Sequence, residues 1–144
     1  MDNLDKIIDP IPKDENLKEA IFYISDGILA GLYLYIGDGK PLKESFKELK
    51  EEVGKYKIIV KTRDGEYTIN LKKYVENRRP EDILKLTLKY PGLSNINIEQ
   101  NGYTNLREFI KNNEIYLKEL IREANKKYGL TENKMVGFII RSEP

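Results

Sequence analysis

Histidine, cysteine and tryptophan are absent from all 144 residues. Without cysteine the chain has no disulfide and no thiolate, a usage that fits a reducing compartment. Without histidine it loses the commonest general base and the commonest ligand for zinc, copper and iron. Oxygen-ligand metals such as Mg²⁺ or Ca²⁺ stay open in principle, but no carboxylate grouping marks a site for one. No metal and no cofactor is assigned.

An excess of either charge is missing too. The chain carries 25 Lys and Arg against 24 Asp and Glu, a net charge of +1, so no global field draws it toward nucleic acid or anionic lipid. The longest apolar stretch, Ala20 to Ile36, is interrupted by Ser25, Asp26 and Gly27 and reads as short for a membrane span. Asp2, Asp5 and Asp9 give the N-terminus the wrong sign for a signal peptide. A soluble, cytoplasmic protein with no membrane partner is expected.

What is present is a globular composition, 40% hydrophobic and 34% charged. Residues 1–13 read as an acidic arm, stiffened by Pro10 and Pro12, with Leu4, Ile7 and Ile8 available to dock. Residues 14–144 read as a single α+β domain. Asp14 is placed to cap a short helix that ends at Asp26-Gly27, with a strand over Ala20–Ile24 as the competing assignment. From Ile28 to Ile36 apolar residues alternate with Leu29, Gly31, Tyr33 and Tyr35, the pattern of a central strand.

Pro41 opens a helix whose Leu42, Phe46, Leu49 and Val53 share one face up to Gly54. A hairpin spans Lys57 to Lys72 around a type I′ turn at Asp64-Gly65, pairing Thr62 with Tyr67, Val60 with Ile69 and Ile58 with Leu71. Pro80 starts a helix that stops at Pro91-Gly92, with a strand over Leu84–Leu88 as its alternative, and a short strand follows at Ile96 and Ile98. Asn105 and Glu108 form a capping box for a long helix, with an irregularity at Asn112-Asn113 and a stop at Gly129. A last strand runs from Met135 to Arg141. It either completes the sheet or pairs with another chain as a homodimer edge. The order predicts a ferredoxin-like βαββαβ core, an antiparallel sheet with helices on one face, plus a C-terminal helix and strand.

On that arrangement the open sheet face presents Tyr33 and Tyr35 beside Lys57, Lys61 and Arg63. Bases stack on flat side chains while cations neutralise phosphates, so this is the place for single-stranded RNA or DNA. Leu32-Tyr33-Leu34-Tyr35-Ile36-Gly37 resembles the first-strand motif of the RNA-recognition-motif family over about residues 30 to 100. The resemblance implies RNA stacked on Tyr33. The hairpin strand Glu66 to Leu71 lacks that family's glycine–aromatic signature, which leaves shared topology.

Two further groups stand out. Lys40 and Lys43, after Gly37-Asp38-Gly39, are placed to hold an anion, although the glycine spacing is not that of a phosphate-binding loop. Arg78 and Arg79 precede a helix N-terminus, where positive charge is unfavourable unless an anion, an acidic partner or nearby Glu81 and Asp82 offset it. No catalytic constellation is found, and an enzyme would have to depend on a metal or on positioned Arg, Lys and Tyr. The leading expectation is a non-catalytic interaction protein with a protein partner, acting as a small inhibitor, adaptor or regulator of the kind viruses and mobile elements encode. A nucleic-acid-binding module is the alternative and a small-ligand sensor the third reading.

Overall fold

A computed structural model of the chain describes residues 7–37, 39–89, 106–130 and 134–142. The first half comprises β1 (Ile8–Asp9), α1 (Glu15–Gly37), α2 (Leu42–Val53), β2 (Tyr56–Thr62) and β3 (Gly65–Ile69). The second comprises α3 (Leu71–Glu76), α4 (Pro80–Lys89), α5 (Leu106–Asn112), α6 (Glu114–Lys127) and β4 (Met135–Ser142). The protein is therefore α+β, and the strands among the described residues form one antiparallel sheet ordered β1-β3-β2-β4.

The organising element is α1. Asp14 starts it as expected, its carboxylate accepting the backbone N–H groups of Asn16 at 2.9 Å and Leu17 at 3.3 Å. The helix does not stop at Asp26-Gly27, however, and Ile28 to Ile36 continue it instead of forming a central strand. The physical reason is burial on every side: from Ile24 to Tyr33 every residue is buried, so apolar side chains are wanted at both parities of the alternation. With that strand gone, the described residues do not follow the ferredoxin-like order, and the resemblance to the RNA-recognition-motif strand loses its basis. By length and composition α1 is apolar enough to cross a membrane, yet 78% of its most apolar window is buried inside the protein.

The most extensive packing on α1 comes from α2, α4 and α6. Gly27 permits the closest approach, since a Cβ there would lie 2.6 Å from Leu120 Cδ1 on α6. The amphipathic helices form where their spacing predicts, although the buried faces differ in part. Phe46, Leu49 and Val53 of α2, Ile83, Leu86 and Thr87 of α4, and Leu117, Leu120 and Ala124 of α6 are buried, whereas Leu42 of α2 and Leu84 and Leu88 of α4, expected on the apolar faces, are exposed. The irregularity expected at Asn112-Asn113 separates α5 from α6, and Gly129 ends α6 with φ +69°. The strand expected at Ile96 and Ile98, the Pro91-Gly92 stop and the Asn105 half of the capping box lie outside the described residues.

The hairpin forms in a different register. Ile58 pairs with Ile69, Val60 with Tyr67 and Thr62 with Gly65, two residues from the expected match, and the loop residues are Arg63 and Asp64. Thr62 dictates this: its hydroxyl accepts the Asp64 N–H and donates to the Gly65 carbonyl, both at 3.1 Å. No residue other than glycine has positive φ among those described, so a type I′ turn centred on Asp64-Gly65 does not form. A shift of two preserves parity, so Ile58, Val60, Tyr67 and Ile69 still face the core. The strand also ends early. Asn70 accepts the Lys73 N–H at 3.2 Å and caps α3, which moves Leu71 and Lys72 from the sheet into a helix.

The edges of the sheet come from the two ends of the chain. Ile7 and Ile8 are buried and β1 pairs with β3, so this part of the acidic arm is docked. At the other edge β4 pairs with β2 along its length, with a bulge opposite Lys61 and Thr62. Asp14 and Lys134 join the start of α1 to the start of β4 by an ion pair of 2.5 Å.

Two outcomes follow. Gly27→Val should cost about 2–3 kcal/mol by overpacking, and Leu120→Ala in the same chain should recover part of it. Additive urea denaturation free energies for the pair would mean that the two positions do not touch. The Lys134 ammonium holds the Asp14 carboxyl below its ordinary value of 3.8. A lowered pKa gives stabilisation that is present above that value and is lost as pH falls through it. Asp14→Asn keeps the helix cap but removes the charge, so its unfolding midpoint should fall less steeply on acidification. A wild-type acid profile in the variant would show that the pair contributes nothing.

Candidate functional site

The residues expected to share an open sheet face are not together. Tyr33 is buried in α1, and burial raises its phenol pKa. Tyr35 is half-buried on α1 with its ring 5.9 Å from Phe109. Lys57 and Lys61 do lie on the outer face of β2, with Lys61 ion-paired to Glu66 at 3.7 Å, and Arg63 is exposed in the turn. A surface of tyrosines among these cations therefore does not exist. Lys40 is held by Glu48 at 2.6 Å while Lys43 is exposed on α2.

Arg78 and Arg79 part company. Arg79 is exposed and pairs with Asp82 at 3.4 Å and Glu81 at 4.0 Å, which offsets its place before α4. Arg78 turns inward. Its Nη2 donates to Asp26 Oδ1 at 3.1 Å and to the Tyr74 hydroxyl at 2.6 Å, and its guanidinium lies 4.4 Å from the Tyr74 ring centre. The Tyr74 hydroxyl also donates to Asp26 Oδ1. Asp26 is thus a buried anion neutralised across the α1–α3 contact, and the cost expected at Arg78 has a structural answer.

A second cluster lies where α1 meets α6. Tyr23 donates to Glu123 at 3.2 Å, its ring meets that of Tyr128 edge-on at 5.9 Å, and Lys127 sits 5.1 Å above it. Burial, reinforced by the Glu123 charge, pushes the Tyr23 phenol up to about 12.

A cleft lies elsewhere on the described residues. A half-open groove of about 920 Å³ runs between α5–α6 on one side and the edge strand β4 on the other. Arg107 and Lys111 of α5 and Lys118 and Arg122 of α6 stand along it, with Glu114 as the carboxylate among them. Lys118 pairs with Glu114 and Arg122 with Glu119, both at 3.0 Å. The groove also includes Ile110, Ile121, Met135, Phe138 and Ile140, and Val136, 69% exposed, stands at the β4 bulge. Asn125, only 5% exposed, lines it with a buried side-chain oxygen, Oδ1, that has no hydrogen-bond partner among the described residues.

None of these groove cations stands out in the sequence as a site, although a signal exists. Arg107, Lys111, Lys118 and Arg122 are spaced by four, seven and four residues, one stripe at helical period. The chain matches no protein-family model, no curated protein and no solved structure.

Removing Arg78 leaves the Asp26 carboxylate largely buried beside Tyr74. Arg78→Met should therefore destabilise by about 3–5 kcal/mol, and Asp26→Asn in the same chain should reduce that loss. Equal stabilities for the single and double variants, read from denaturant midpoints, would mean that Asp26 does not need the guanidinium.

Proposed function

We propose that the protein works without catalysis, by binding a protein partner through the groove between α5–α6 and β4. One observation carries the reading: an apolar trough with a cationic stripe, alongside an edge strand. Apolar area supplies affinity while charges around it select and orient the partner. The role that fits is an inhibitor, adaptor or regulator whose effect is occupancy of another protein. The nucleic-acid alternative keeps its cations but loses its stacking platform, because Tyr33 is buried and Tyr35 packs on Phe109.

Site-specific photo-crosslinking tests this in extract of the source organism. A crosslinker at Val136 should yield polypeptide adducts, and one at Thr68 on the outer sheet face should not. The groove adducts should disappear in Arg107→Glu/Lys111→Glu, whose exposed side chains leave the melting temperature within a few degrees. Adducts only from Thr68, or nuclease-sensitive adducts from Val136, would reject this assignment.

A further inference from the structure

The groove has a chemistry that narrows what enters it. Resting on the protein-binding reading above, we infer that the partner supplies an extended acidic segment that adds as a strand to the free edge of β4.

Three observations converge. First, β4 is the last strand of the sheet and pairs on one side only, with β2, among the described residues. Its other edge presents unpaired backbone donors and acceptors, which are a template for another strand. The bulge is at the Met135 end, so Phe138 to Ser142 remain in regular pairing register as the docking stretch.

Second, charge complements an acidic occupant. Arg107 and Lys111 are exposed and form no ion pair among the described residues, while Lys118 and Arg122 are each paired, with Glu114 and Glu119. A strand alternates its side chains between two faces, so an added strand turns one parity toward the groove and the other toward the outer sheet face. The groove-facing parity meets the cations of the helical wall together with Ile110, Ile121 and Phe138, so acidic and apolar residues both belong to that set.

Third, Asn125 Oδ1 is a buried acceptor without a donor among the described residues, in a side chain nearly removed from solvent and lining the groove. Leaving such an oxygen unpaired costs free energy, which a donor in the groove recovers when the Asn125 side chain turns to meet it. A backbone N–H or a Ser or Thr hydroxyl of the incoming segment is a donor of the right kind.

A second copy of this chain fits less well. Pairing β4 with its own copy would bring a second set of the same four cations to the same edge, and like charges brought together oppose association.

Selection from a displayed random-peptide library tests the inference directly on the groove. Enriched peptides should carry Asp or Glu together with Val, Ile, Leu or Phe at alternate positions of one parity, with the other parity unselected. Their binding should weaken by roughly tenfold or more in Lys111→Glu/Arg122→Glu, and N-methylation of alternate peptide amides should abolish it. Asn125→Leu should weaken the same peptides while leaving the fold at least as stable, since it removes an unsatisfied buried polar atom. Peptides that lose binding with the charge reversal but tolerate N-methylation would overturn strand addition and leave the groove as the binding site. Enrichment of peptides indifferent to every groove variant, or preferential binding of a single-stranded oligonucleotide there, would overturn both.

Discussion

A helix buried from Ile24 to Tyr33 on all sides sets the terms for the rest of this protein. Such a helix has no solvent face on which to place a charge, so Asp26 has to be satisfied internally. Tyr74 and Arg78 do so, and because both come from the α3 region, the neutralising contact also fixes where the chain leaves the hairpin. The same logic explains Gly27, which sits in mid-helix at a propensity cost of about 1 kcal/mol because its missing side chain is what lets Leu120 reach the helix surface. Asp26-Gly27 therefore works as a polar anchor beside a close-packing point.

That dipeptide also explains why the sequence pattern misleads most at this point. In isolation Asp-Gly is a stop signal, and once a stop is placed there the residues after it must begin something new. Ile28 to Ile36 then alternate convincingly, because a stretch that is apolar at nearly every position satisfies any period. Length is the better arbiter. An apolar run from Ala20 to Ile36 exceeds the usual strand and suits a buried helix. Asp26 is tolerated because Tyr74 and Arg78, 48 and 52 residues away, meet it, and no local pattern records that.

Where elements have one wet and one dry face, the pattern locates them: α2, α4 and α6, the Asp14 cap, the break before α6 and the Gly129 stop all lie where spacing puts them, and the face of α4 turns, exposing Leu84 and Leu88. The hairpin shows an intermediate case. Parity, and with it the choice of core face, is set by the alternation of Ile58, Val60, Tyr67 and Ile69, whereas the register depends on hydrogen bonds from one threonine hydroxyl. The groove is illegible for another reason. Its helical wall reads as an ordinary solvated surface, and only the approach of β4, a contact between residues distant in sequence, turns that surface into a cleft.

Both walls of the groove are referenced to α1. Leu117, Leu120 and Ala124 hold α6 against α1, with Leu120 seated at Gly27, and the adjoining face of α6 carries Lys118, Ile121, Arg122 and Asn125 toward β4. The strand is positioned independently, by its ladder to β2 and by Lys134 on the Asp14 carboxylate at the start of α1. A helix held from behind by a close-packed contact cannot slide down to cover the strand edge, and a strand held by its ladder cannot lift to meet the helix. The space between them is thus a consequence of how each is anchored, and so is the buried oxygen of Asn125. It lies on the α6 flank between the face that meets α1 and the face that meets the groove, where packing removes water but no described residue supplies a donor.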